Sequence, residues 1–408
     1  MDIHRIFSEI DSLKTEMVNA LMELVRIPAV APENGGEGEL EKAEKLTNIL
    51  KEVGFDSIER YDVDDPRVPT GKRPNIVACV KGESEAKKLW IVTHLDVVPP
   101  GEESLWTLTK PYEPRIIEDR VYGRGSEDNG QPLVASVFAI KGLKRLGAKP
   151  KRTVGLAIVA DEEQGSIFGI QHLIEKGVFK KDDLVVVPDG GSPEGNFIEV
   201  VEKTILWFKI KTIGRQTHGS LPNKGLNANR IAMQVAMALD ERLHTKYSLS
   251  DEYFDVPIST FEPTKRDRNV EAVNIVPGED VTYYDCRILP TYDVDEVIAD
   301  ICSVLAEFEK RTGASIMLEI LQKQVAPKLV DGNPEIATLL KKALKEARGV
   351  DAYVGGLGGG TCAAYFRKIG IPAVVWSTID EVAHQPNEFS KVEAMVADAK
   401  VFALLALF

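Results

Sequence analysis

Thiolate chemistry has little to draw on in this sequence: four cysteines, Cys79, Cys286, Cys302 and Cys362, stand far apart with no CxxC pair. That scarcity argues against a disulfide framework and a thiolate zinc site, and it suits a reducing cytosol. Positive charge is also in deficit, with 50 basic residues against 63 acidic and a formal net charge of -13. Such a surface repels a phosphate backbone, so no nucleic-acid partner is expected. No apolar run approaches the roughly 20 residues that cross a bilayer, and no low-complexity tract suggests a disordered arm. The N-terminal stretch MDIHRIFSEIDSLKTEMVNALMELVRIPAV is charged throughout, with Ile6, Ile10, Leu13, Met17, Leu21 and Leu24 at helical spacing. It predicts an amphipathic helix rather than a signal peptide. A soluble, cytoplasmic protein with no membrane partner is the expectation.

What is present is a globular composition over 408 residues, 44% hydrophobic and 28% charged, long enough for two domains. Helix and strand patterns alternate early: a helix over 36–53, strands over 75–80 and 89–93, then a helix over 132–146. Two further apolar runs, 153–160 and 183–187, read as buried strands ending in acidic residues. This texture predicts α/β layering. From about residue 203 it changes. The partly alternating ILWFKIKTIG, a helix over 227–243, the strand VTYYDCRIL, a helix over 294–311 and the strand SIMLEIL form a smaller α+β unit. The helix 334–348, the run GGLGGG and the strand IPAVVWS return to the first style. The chain is thus expected to hold a large catalytic domain in two segments, 1–202 and 323–408, with an inserted smaller domain at 203–322.

Five strand or loop ends carry groups able to bind cations. His94 in WIVTHLDVVP has Asp96 two residues on, on the same side of an extended chain; a metal-bound imidazole usually gives its other N–H to a carboxylate. Glu127 and Asp128 in YGRGSEDNG precede a helix, where they also fit a plain N-cap. Asp161, Glu162 and Glu163 close an apolar strand in LAIVADEEQGS, Asp189 ends another in LVVVPDGG, and His384 follows the last in VAHQPNE. Taken singly, each has an ordinary structural reading. Together they resemble ligands gathered outside the carboxyl ends of strands in an open α/β sheet. Imidazole and carboxylate without thiolate suit Zn²⁺, with Co²⁺ or Mn²⁺ as alternatives.

In this order, HLDVVP, GRGSEDNG, ADEEQG, VVPDGG, THGSLPNKGLNA, DCRILP, GGTCAAYF and HQPNE resemble the acetylornithine deacetylase and succinyl-diaminopimelate desuccinylase family of two-metal hydrolases. Aminoacylases, dipeptidases and glutamate carboxypeptidases belong to the same family. The likeness runs from about residue 20 to the C-terminus. It implies a zinc-peptidase-like α/β catalytic domain with an inserted lid and dimerisation domain, and two divalent ions per subunit. His94, Asp128 and Asp189 would bind one ion; Asp128, Glu163 and His384 would bind the other. Glu162 would be the general base and Asp96 would orient His94. His218 in THGSLPNKG would reach across a homodimer to the oxyanion, and Arg287 in DCRILP would grip the substrate's free carboxylate. Gly359 and Thr361 of the glycine loop would approach that carboxylate through backbone N–H groups.

The implied reaction is hydrolysis of the amide bond of an N-acyl amino acid or short peptide bearing a free carboxylate. Two departures from the family pattern bear on substrate choice: Asn129 and Gly130 replace the pair that often follows the bridging aspartate, and Cys362 stands where relatives commonly carry an aspartate. Gly358, Gly360 and Ala363 also match the spacing of a dinucleotide fingerprint, which keeps a nucleotide-dependent oxidoreductase as a second reading. A catalytically silent binding relative is a third.

Overall fold

In the computed structural model, which describes residues 2–408, four apolar runs lie side by side and parallel: Arg152–Val159, Ser84–His94, Leu184–Ser192 and Val374–Thr378. They form the middle of an eight-stranded sheet. Ile76–Val80 and Ser57–Arg60 extend it antiparallel on one side, and Phe197–Glu202 and Tyr353–Leu357 complete the other.

Parallel strands buried on both faces read as continuous apolar runs, which is why this part was visible in the sequence. Trp90, Val92, Ala157 and Val159 face one core with Ile170, Leu173 and Phe366 of the short helices Ile170–Glu175 and Ala363–Lys368. Alternate residues such as Leu89 and Ile91 serve the other face. The helices Gln131–Arg145 and Val392–Leu407 pack together there, both buried along most of their length.

Several elements differ from the sequence expectation. The N-terminal helix is two helices, Ile3–Ser12 and Lys14–Val25. They part at the buried Leu13, whose N–H bonds Ile10 O. The next helix starts at Leu40, because Gly38 has φ +81°, outside the helical region. The strand through Asp189 runs on to Ser192, since Gly191 and Ser192 still pair with Ser377 and Thr378.

The chain divides into two compact units. One runs to Val200 and resumes over Val330–Val354 and Thr361–Phe408. The other comprises Val201–Leu329 together with Gly355–Gly360. In that second unit, an antiparallel sheet is ordered Thr260–Arg266, Glu279–Ile288, Thr204–Ile213, Ser315–Gln324. Leu206, Phe208 and Ile210 alternate inward and pack on Val235, Leu239, Val297 and Ile301 of the helices Ala228–Lys246 and Val294–Thr312. The glycine run groups with this unit, not with the second catalytic segment as its position in the chain suggested. Side chains with a core to join are scarce there, and its carbonyls decide: Lys203 N–H donates to Leu357 O at 3.0 Å, and Arg287 Nη1 to Gly358 O at 2.9 Å.

Candidate metal centre

The four parallel strands present their carboxyl ends on one side, and the chemistry collects there. His94 is the last residue of its strand. Asp161, Glu162 and Glu163 follow Val159, Asp189 lies within Leu184–Ser192, and His384 sits in the loop after Thr378. Asp128 comes from the segment Ser126–Gly130 that leads into the helix Gln131–Arg145.

Asp128 stands between the two imidazoles and gives one oxygen to each. His94 Nε2 lies 2.9 Å from Asp128 Oδ1 and 3.3 Å from Asp189 Oδ1; His384 Nε2 lies 3.1 Å from Asp128 Oδ2 and 3.2 Å from Glu163 Oε2. Potential ligand atoms of His94, Asp128 and Glu163, and of His94, Glu162 and Asp189, fall within 4.8 Å of one another in each group. Glu163 Oε1 is buried with no hydrogen-bond partner among the described residues. Four carboxylates with two imidazoles and one orphaned oxygen make a site that fits divalent cations, because so much negative charge is costly to bury unpaired.

The electrostatics follow from this crowding. Burial, and after it the charge of Asp189, pushes the Glu162 carboxyl well above its ordinary range. Burial likewise raises Glu163, with Asp128 adding to it. Hydrogen bonds to Asp128 and then Glu163 lift His384 to about 10. For His94 burial alone would lower the pKa, but the charge of Asp189 and the bonds to Asp128 and Asp189 raise it well above normal.

Asp96 is placed differently from the sequence expectation. His94 Nδ1 meets the Asp96 backbone carbonyl at 3.0 Å, with the Asp96 carboxylate farther away at 3.5 Å. A carbonyl only accepts, so Nδ1 holds a proton and Nε2 is left to bind a cation. The Asp96 carboxylate instead accepts from Glu162 N at 3.0 Å and Glu163 N at 2.9 Å. It fixes the backbone that carries both glutamates.

Further contacts support this cluster, most of them from residues the sequence did not single out. Asp161, at φ +64°, is tied by Phe168 N–H and by the fully buried Arg73, itself paired with buried Glu39. Lys42 donates to Leu95 O at 2.9 Å, and burial draws its ammonium down to about 8. Gly125, at φ +80°, makes the turn before Asp128; an added Cβ would lie 2.5 Å from Val97 Cγ1. The turn aims the N–H groups of Gly125, Glu127 and Asp128 at the buried Glu388 carboxylate, which also pairs with Arg124. The signal for Glu388 was its place in HQPNE; an acid next to a ligand-bearing loop is a candidate to hold that loop.

Four expected site residues make their contacts elsewhere. His218 is exposed, and its Nδ1 accepts from Ser220 N at 3.2 Å, which leaves Nε2–H as the ring's donor. Arg287 forks onto Asp285 of its own strand at 2.6 and 2.9 Å. Thr361 Oγ1 accepts from Ala363 N at 3.1 Å, and Gly359 is exposed with open space where a Cβ would sit. The nucleotide reading is not favoured: the helix opened by Ala363 ends at Lys368, and the run before it is engaged within its own unit, Leu357 O by Lys203 N–H and Gly358 O by Arg287.

Residues 90–407 match the profile of Peptidase family M20/M25/M40. An uncharacterized metallohydrolase of Methanocaldococcus jannaschii is 42% identical over 402 residues, covering 95% of this chain and 98% of its own. A succinyl-diaminopimelate desuccinylase of Coxiella burnetii is 24% identical over 378 residues, covering 92% and 94%. Among solved structures, a tripeptidase from Staphylococcus aureus superposes with a TM-score of 0.75 at 18% identity, covering 96% of this chain and 98% of that one.

Proposed function

Because the chain belongs to peptidase family M20/M25/M40 and is a metallohydrolase, we propose that it uses two divalent ions to cleave an amide bond beside a free carboxylate, in an N-acyl amino acid or a short peptide. The observation behind this reading is the position of Asp128, with one oxygen toward His94 and the other toward His384. A carboxylate so placed could be a ligand common to both ions. One ion would be held by His94, Asp128 and Asp189, the other by Asp128, Glu163 and His384. Zinc is the first choice and Co²⁺ or Mn²⁺ the alternatives, on the donor set alone. When bound, such a pair polarises the scissile carbonyl and lowers the pKa of water.

Glu162 is the proposed general base. It would take a proton from the attacking water as the C–O bond forms, and return it to the leaving nitrogen as the C–N bond breaks, giving a carboxylate and an amine. Burial beside Asp189 raises the proton affinity of this carboxylate, which suits a group that must take up a proton. Asp96 would keep Glu162 and Glu163 in place through their N–H groups. His218, with Nε2–H as donor, would steady the oxyanion from a second copy of the chain. Arg287 would receive the substrate carboxylate, in competition with Asp285, and the N–H groups of Gly359 and Thr361 would lie near it.

A homodimer is part of the proposal. The strand Thr260–Arg266 is a free sheet edge, and Met233 and Met237, the latter 74% exposed, line a groove with Pro263 and Thr264 beside it. An unpaired edge beside apolar side chains favours a second copy. No helix among the described residues is long and apolar enough to cross a membrane, and all four cysteines are free, which agrees with a cytoplasmic setting.

The deciding experiment is a panel of N-acetyl and N-succinyl amino acids, dipeptides and tripeptides, assayed with Zn²⁺, Co²⁺ and Mn²⁺, with metal content measured on the same samples. Turnover with two ions per chain supports the reading, and fewer than two ions in active protein overturns it.

A further inference from the structure

His384 is the most open of the clustered side chains, with 53% of its side-chain surface exposed. Little packing fixes it. Its loop also contains three non-glycine residues with positive φ, Glu381, His384 and Asn387, a conformation that persists only when neighbouring contacts impose it. What holds this loop therefore decides where His384 Nε2 sits.

The neighbour of Asp128 supplies that hold. Glu127 is buried, and its carboxylate accepts three backbone N–H groups from the loop: Asp380 N at 2.6 Å on Oε1, and Val382 N at 2.7 Å and Ala383 N at 2.9 Å on Oε2. In return, the buried Glu388 of the same loop accepts Gly125 N at 3.1 Å, Glu127 N at 3.0 Å and Asp128 N at 3.1 Å. Two carboxylates thus clasp each other's segments. The two halves are not equivalent. Glu388 has the Arg124 guanidinium as counter-charge, whereas no cation lies within ion-pair distance of Glu127 among the described residues. Its whole satisfaction comes from the loop amides. Charge-assisted bonds of this kind are the strong ones, and three on one carboxylate make a rigid mount.

We propose that Glu127 is a positioning residue that sets His384 for the second metal ion, so that its loss selectively weakens that ion. The inference rests on the ligand assignment of the preceding subsection. Glu127 itself touches neither ion nor substrate. Replacing its carboxylate by an amide turns one acceptor into a donor facing backbone N–H groups, which expels part of the loop. Partners that orient a ligand in this way typically change metal affinity by roughly 10- to 100-fold.

The test compares wild type, Glu127→Gln, Glu127→Asp and His384→Ala by Co²⁺ titration followed by absorption, with metal content read by mass spectrometry. Wild type should take two ions and His384→Ala one. Glu127→Gln should keep the first ion at wild-type affinity and bind the second roughly 10- to 100-fold more weakly. Glu127→Asp, which keeps the charge but is shorter, should fall between. Hydrogen exchange at Val382 and Ala383 should accelerate in Glu127→Gln. If wild type does not take two ions, or His384→Ala still does, the ligand assignment itself is wrong. If those two behave as stated while Glu127→Gln binds both ions as wild type does, the clasp has no such role. Should Glu127→Gln not fold, Glu127→Asp decides: wild-type affinity for the second ion overturns the proposal.

Discussion

Asn129 Nδ2 lies 2.9 Å from Asp189 Oδ1 and 3.0 Å from the Pro188 carbonyl, while its Oδ1 accepts the His94 N–H at 3.4 Å. One carboxamide therefore links the segments bearing Asp128, Asp189 and His94. A carboxylate at this position would lack the donor and repel Asp189; only an amide serves both neighbours. Asn129→Ala should lower the affinity for the ion beside Asp189 by roughly tenfold, leaving the other less affected. Competition with a chromogenic chelator reads this directly, and equal loss at both ions would argue against it.

Glu162→Gln separates binding from chemistry. The amide cannot accept and return a proton, so kcat should fall roughly 10²- to 10⁴-fold, while metal content stays near two ions per chain. Activity within a few-fold of wild type would remove Glu162 as the base.

The pairing of Arg287 with Asp285 gives a prediction about substrate choice. Asp285→Asn should release the fork and lower KM for carboxylate-bearing substrates. Arg287→Ala should cost them roughly 10- to 100-fold in kcat/KM, the loss of a charge-assisted pair. An ester or amide of the same substrate, lacking the charge, should be indifferent to both changes. Parallel effects on charged and uncharged substrates would place Arg287 outside the pocket.

Asp398 makes folding stability depend on pH. It is fully buried among Thr378, Gln131 and Arg348, and burial lifts its carboxyl to about 6. The folded state thus binds the proton more tightly than the unfolded chain, whose ordinary value is about 4. Between these values the folded state holds more protons, so this residue's contribution to stability falls as pH rises from about 4 to 6. The stability gap between wild type and Asp398→Asn should narrow over that window by on the order of 1–3 kcal/mol. Urea unfolding at pH 4.5 and pH 7 measures it, and a gap that widens with pH would contradict the assignment.

The grouping was readable because His94, Glu163, Asp189 and His384 each end or follow an apolar strand and parallel strands deliver their ends to one side, while Asp128, in a glycine-rich turn before a helix, joined them through the family resemblance. Supports were hidden for the opposite reason. Glu127 fits a plain helix N-cap and Glu388 is one acid at the end of HQPNE, and their separation of 261 positions erases any periodic signal that they act together. Asp96 shows the limit most clearly: His-x-Asp spacing pointed to a carboxylate on the imidazole, but the extended backbone brought the carbonyl closer and sent the carboxylate to Glu162 and Glu163.

Apolar patterning by itself determined the α/β layers, the inserted α+β unit and the strand ends on which most of the chemistry rides, because burial of alternating or continuous runs is a local property of the chain. Only the tertiary structure decided which polar groups complete one another: Glu127 and Glu388 on each other's backbone N–H groups, Asn129 on Asp189, and Arg287 on Asp285 beside a glycine run that left its own segment. Those choices depend on distances between residues far apart in the chain, where an oxygen displaced by half an ångström exchanges one hydrogen-bond partner for another.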